Sequence, residues 1–176
     1  MSMICSVLGL SPMQIKALRA TPALATAVAM AAEGVGRGDL RQLGPLQEPL
    51  SLEKSWHIQH YLFTGSVDNA NPPGGALLGG EELGEDIGYG PVRLHDEKAT
   101  AEFARFLETL DLMSLQERMN LGEMARIGIY GVPMGSIPDA LDESELQEEL
   151  EYFFPQLRDY VLKVAEKQGG LLVWLI

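Results

Sequence analysis

The chain is poor in the side chains that most often do chemistry. It holds one cysteine, three histidines and two tryptophans in 176 residues. A single Cys5 excludes an intramolecular disulfide and any zinc site built from several cysteines. A lone thiol suits a reducing compartment, so the cytoplasm is the expected location. Positive charge is scarce as well: 13 Lys and Arg stand against 25 Asp and Glu, a formal net charge of −12. Nucleic-acid phosphates are bound by lysines and arginines that displace counterions, so no nucleic-acid partner is expected. An anionic membrane surface is disfavoured for the same reason. "ALATAVAMAA" (23–32) is far shorter than the roughly 20 apolar residues of a membrane span, and it reads as a packed helix. No serine sits in a Gly-x-Ser-x-Gly elbow, and no nucleophile–base pair is apparent. No cofactor is expected. Aromatic residues are only 7% of the chain, so aliphatic side chains must fill the core that a 46% apolar composition supports.

What is present is an alternation of apolar runs and turn signals. "MICSVLGL" (3–10) predicts a first strand. Ser11 followed by Pro12 opens a short helix, and Thr21 with Pro22 opens a second. The glycine- and proline-rich stretch 34–50 reads as a surface loop. A helix is predicted from Ser51 to Gly65, with Leu52, Trp56, Gln59 and Phe63 on one side. Residues 66–75 form a loop, "ALLGG" (76–80) a short strand, "EELGEDIGYG" (81–90) an acidic loop and "PVRLH" (91–95) a strand. Phe103, Phe106, Leu107 and Leu110 mark a helix over 96–110. Residues 114–126 read as helical, and 127–138 as loop or strand. Pro155 predicts a break or kink between two helical pieces. "GLLVWLI" (170–176) is apolar on both faces and belongs in the middle of a covered sheet. The pattern as a whole predicts an α+β (α/β-like) fold. It is a single compact domain over 1–176, with a small mixed β-sheet that includes the N- and C-terminal strands, covered by several helices.

Three segments, "LEKSWHIQHYLFTG" (52–65), "LLGGEELGEDIGYGPVRL" (77–94) and the final "LLVWLI", occur in an order and spacing that resembles the YfbM-like family. Its members are small bacterial proteins carrying a domain of unknown function. The resemblance covers almost the whole chain and implies a compact α/β-type domain of bacterial origin. It implies no assigned activity and no catalytic residue. The glycine-rich 34–38 stretch and the alanine-rich helix depart from the more acidic pattern of the family.

Two of those segments gather the rare residue types. At helical spacing Glu53, His57, His60 and Thr64 share one stripe. Two imidazoles and a carboxylate suit zinc or nickel, or a general base with its orienting acid. In the alternative, Trp56 packs inward and the histidines bridge helix and loop by hydrogen bonds. The two histidines are three apart, unlike the zinc-protease motif, and no metal is assigned. In the second segment Glu81, Glu82, Glu85 and Asp86 would repel a phosphate, and the alternating acids of a calcium loop are missing. Folded over the helix, this loop would join Trp56, His57, His60, Glu82, Asp86, Tyr89 and Arg93. Such a group is either a binding pocket or a buried polar network. The acidic run of Asp139, Asp142, Glu143, Glu145, Glu148, Glu149 and Glu151 is a solvated helix start or a docking surface for a basic protein.

Two functions follow. One is a non-catalytic protein-interaction module with an acidic surface, of immunity or antitoxin type, and it takes precedence because no catalytic motif is recognisable. The other is a small-molecule-binding protein or enzyme with a pocket between helix 51–65 and loop 79–91. A filled His57 environment points to the first, and a cleft beside His57 to the second.

Overall fold

The computed structural model describes residues 3–36, 38–132 and 143–176. Cys5–Leu10 (β1) and Gly170–Leu175 (β5) pair antiparallel along their whole length, Cys5 opposite Leu175 and Leu10 opposite Gly170. Every residue of both strands is buried, as apolarity on both faces requires. Pro91–His95 (β4) joins the other side of β5, and Glu81–Asp86 (β3) joins β4. Leu50–Ser51 (β2) adds a two-residue edge to β1. The order is β2-β1-β5-β4-β3.

Helices cover both faces. Pro12–Ala20 (α1) and Ala23–Ala32 (α2) pack on Leu8, Leu10, Leu83, Val92, Leu94, Leu172 and Trp174. The other face carries Cys5, Val7, Leu171, Val173 and Leu175. It is covered by Ser55–Thr64 (α3), Glu97–Glu108 (α4), Leu112–Glu117 (α5), Leu121–Ile127 (α6) and Glu143–Glu166 (α7). The period-2 alternation of β1 and β5 thus feeds two separate cores. This is an α+β fold, as expected. The sheet, however, is antiparallel at every described pairing rather than mixed. The β3–β4 connection is a hairpin, which pairs strands antiparallel by construction.

Local chemistry sets the helix ends. Ser11 Oγ accepts from the Gln14 N–H at 3.3 Å and Gln14 Oε1 accepts from the Ser11 N–H at 2.8 Å, a complete capping box. Asp96 caps α4 through the Ala99 N–H at 3.0 Å.

Four expectations need correction. The helix predicted from Ser51 begins at Ser55. The Leu52 N–H donates to the Cys5 carbonyl at 2.8 Å and draws 50–52 to the sheet edge. The segment 81–90 begins with a strand, not a loop. Only Leu83 of β3 faces a core while its acids face water, so no apolar alternation announced it. Acids on such an edge also discourage pairing with another chain. "ALLGG" is a turn, in which a Cβ on Gly79 would overlap the Ala70 carbonyl. Finally, α7 runs unbroken through Pro155. Proline removes one helical hydrogen bond, but Leu146, Leu150, Phe154, Leu157, Val161 and Val164 bury one continuous stripe on both sides of it. Residues 133–138, Asp139 and Asp142 lie outside the described residues.

Candidate functional site

Trp56, His57 and His60 all lie on α3, inside the protein. Trp56 is buried and its indole N–H donates to the Met3 carbonyl at 3.3 Å. The His57 ring stacks on the indole, with centroids 4.6 Å apart and planes 11° off parallel. His57 Nδ1 accepts from the Tyr130 backbone N–H at 2.8 Å, so that nitrogen bears no proton. Nε2 lies 3.0 Å from the Val67 carbonyl oxygen and must donate to it. The ring is therefore the neutral Nε2–H tautomer with both nitrogens committed. Burial holds its pKa below the usual imidazole value, with the Val67 bond acting the other way. A base needs a free lone pair, and so does a metal ligand. His57 has none.

His60 has no exposed surface, and neither ring nitrogen has a partner among the described residues. Burial, and then the neighbouring His57, push its pKa down to about 4, against a smaller pull from Asp68. The adjacent Gln59 donates to Ser55 Oγ at 3.0 Å, but its Oε1 is likewise unpartnered. His95 on β4 places Nε2 2.8 Å from the Ala76 carbonyl and pins the 75–79 turn to the sheet. Cys5 is fully buried. Burial pushes its thiol up to about 12, with Arg93 pulling weakly the other way.

The remaining candidates lie on the β3–β4 hairpin. Glu82 and Arg93 are direct cross-strand partners. Glu82 faces water, while Arg93 Nη1 is buried without a partner. Asp86 Oδ1 accepts from the Gly88 and Gly90 N–H groups at 2.7 and 3.1 Å and shapes the hairpin tip, where Tyr89 is exposed. The hairpin packs on α2, with the Glu85 N–H donating to Thr26 Oγ1 at 3.1 Å. It does not bring Glu82 or Asp86 to the His57 ring, whose partners come from 66–70 and 128–132 instead. Glu53 precedes α3 at a φ of +48° and does not extend the histidine stripe. Among the described residues, no group of three or more His, Cys, Asp or Glu is placed to hold a metal ion. No helix there is long and apolar enough to cross a membrane.

Several clefts went unforeseen, among them one of about 560 Å³ beside Pro12, Glu97, Lys98 and Gln168. One of about 210 Å³ lies beside His95, Arg19, Glu81 and Asp96. Its charges already pair: Arg19 meets Glu81 at 2.7 Å and Asp96 at 3.5 Å. Another, about 540 Å³, opens between the start of α1, the turn at 41–45 and the end of α7, with Arg41 and Lys167 in its wall. Arg41 reads as one more polar residue of a glycine–proline loop and Lys167 as an ordinary helix-closing cation. No spacing rule links them.

The fold and these sites define a small two-faced α+β protein whose histidines and cysteine are all internal. The family model for a domain of unknown function, DUF1877, matches residues 1–174, and the chain belongs to that family. The crystal structure of YfbM from Escherichia coli, a protein of unknown function, is similar over 98% of this chain and 99% of that one. The TM-score is 0.69 at 19% sequence identity, which shows a shared fold. The family resemblance carried by the three sequence segments is thereby borne out. No match is found among the curated proteins.

Proposed function

We propose that the protein is a non-catalytic interaction module that binds a basic protein partner. The observation that carries this is the state of the rare residues. His57, His60, His95 and Cys5 are all the imidazoles and thiols of the chain, and each is buried. His57 is filled by Tyr130 and Val67. Side chains so enclosed build a fold rather than meet a substrate.

The contact face we infer is the outer side of α7. Glu145 is three and four residues before Glu148 and Glu149, and these are four and three before Tyr152, so the four share a side of the helix. All four are exposed, Tyr152 to 64%. An exposed tyrosine among carboxylates offers apolar contact area within a field that draws cations. The net charge of −12 extends that field over the molecule. The buried lone thiol supports a reducing, cytoplasmic setting.

Selection of lysine- and arginine-rich peptides from a displayed library tests the reading. Peptides selected on the wild type should lose binding to a Glu145→Lys/Glu148→Lys/Glu149→Lys variant. They should keep most of it on Glu82→Lys/Glu85→Lys/Glu108→Lys, which carries the same change in charge. Equal loss on both variants would reduce the effect to net charge and overturn the assignment of the face.

A further inference from the structure

We infer that the cleft at the α1–α7 corner is a binding site for a small organic anion with an apolar body. Its volume of about 540 Å³ falls inside the range of about 300–1,000 Å³ typical of small-molecule sites. The floor is apolar: Leu10, Leu43 and Val164 line it and are buried. Met13 stands at the wall with 78% of its surface exposed, an apolar group with nothing yet against it.

The charge of the wall is the telling feature. Among the described residues, Arg41 and Lys167 are the only ionisable ones in the wall, and no carboxylate lines it. In a chain with 25 acids and 13 bases, a wall chosen by composition would be negative. The Lys167 ammonium has neither a hydrogen bond nor an ion pair among the described residues, while its backbone N–H donates to the Val164 carbonyl at 3.2 Å. Arg41 is turned to Asp39, with Nε to Oδ1 at 2.9 Å and Nη2 to Oδ2 at 2.6 Å. Both side chains of that pair are well exposed, so water competes with it and its net strength is small. A guanidinium fork matches a carboxylate or phosphate as readily as it matches Asp39.

The wall is also held in place before any ligand arrives. Gln14 donates through Nε2 to the Leu43 and Pro45 carbonyls, at 3.0 Å each, tying the 41–45 turn to α1. Tyr160 accepts from the Gly9 N–H and donates to the Glu48 carbonyl, both at 2.9 Å, and fixes the strand end and loop nearby. A preformed wall lowers the ordering cost of binding. Gln42 and Gln47 add neutral amide donors. Ser11 Oγ is committed as a helix cap. The apolar body of the ligand rests on Leu10, Leu43 and Val164, and its anionic group meets Lys167 and then Arg41.

The site is independent of the acidic face on α7, and its test is separate. The full chain, ¹⁵N-labelled, is titrated at low salt with matched pairs: benzoate and benzamide, octanoate and octanamide. Inorganic phosphate serves as an anion without a body. The acids should shift the amide signals of Leu43, Gly44 and Gly169, while the neutral amides and phosphate leave them in place. Lys167→Gln and Arg41→Gln, both at exposed positions, should each weaken the acids about tenfold, the loss of one charge-assisted hydrogen bond. Asp39→Asn should strengthen them by releasing Arg41. Equal binding of acid and amide overturns the anion. Equal binding of phosphate overturns the apolar body. Full affinity in Lys167→Gln, or no shift with any acid, overturns the site.

Discussion

The backbone N–H of Tyr130 donates to Nδ1 of His57 at 2.8 Å, across 73 residues of sequence. With the Val67 carbonyl on Nε2, this bond makes one imidazole the clamp between α3 and two loops. His57→Ala removes both bonds and the stack on Trp56, leaving a part-buried N–H and a part-buried carbonyl unpaired. The expected loss is about 2–4 kcal/mol of stability, measured by urea unfolding. A chelator should change neither protein. A variant as stable as wild type would contradict the clamp.

His60 makes stability depend on pH. Its folded pKa of about 4 lies below the ordinary imidazole value of 6.5. Between these values the unfolded chain binds the proton and the folded chain does not, so stability falls as pH drops through that window. At about 1.4 kcal/mol per pKa unit, the loss by pH 4 is on the order of 2–3 kcal/mol. His60→Phe should flatten this part of the profile relative to wild type. An unchanged slope between pH 6.5 and 4 would assign the acid sensitivity to other groups.

Glu33 ends α2 and serves two buried donors with one oxygen. Its Oε1 accepts from Trp174 Nε1 at 3.0 Å and Ser6 Oγ at 3.1 Å. Ser6 and Trp174 are cross-strand partners, so this carboxylate locks the centre of the sheet to α2. Glu33→Ala strands both donors and should cost about 2–3 kcal/mol. Glu33→Gln, which keeps an acceptor, should cost less than half as much. Equal costs would make the charge, not the hydrogen bonds, the stabilising element.

Pro155 sits within a continuous helix, so Pro155→Ala should stabilise the protein. Restoring a helical N–H and removing the ring clash is worth roughly 1–3 kcal/mol, less the entropy that proline takes from the unfolded chain. For a chain of this size, each kcal/mol raises Tm by about 2–4 °C. A lowered Tm would show that the proline ring is needed for packing between α7 and its neighbours.

Much of the fold was legible because its signals are local. The Ser11–Gln14 capping box, the Asp96 cap, the apolar stripe of α4 and the fully apolar β5 are each contained in a few residues. The family could be read from the same stretches, since its segments are continuous in sequence. The rare residues of the candidate site were legible as types and their neighbours were not. Trp56, His57 and His60 share a helix, as spacing implied. Glu82, Asp86 and Tyr89 would join that helix only if their segment folded over it, and they belong instead to a hairpin that packs on α2.

The sequence by itself determined composition, charge, the capped helix starts at Ser11 and Asp96, and which strands are buried on both faces. Each of these depends on side chains within one element, or on a sum over the chain. Tertiary structure decided the rest. It paired the strands antiparallel, and it drew an acidic, nearly coreless segment into β3 because β4 offered a free edge. It kept α7 whole because burial of one stripe outweighs a single missing hydrogen bond. It committed both nitrogens of His57 to distant backbone groups, which no local pattern encodes. And it brought Arg41 and Lys167, far apart in sequence, to one cleft. The position of a charge in space is set by the packing of whole elements, and a side chain carries no mark of the partner it will face.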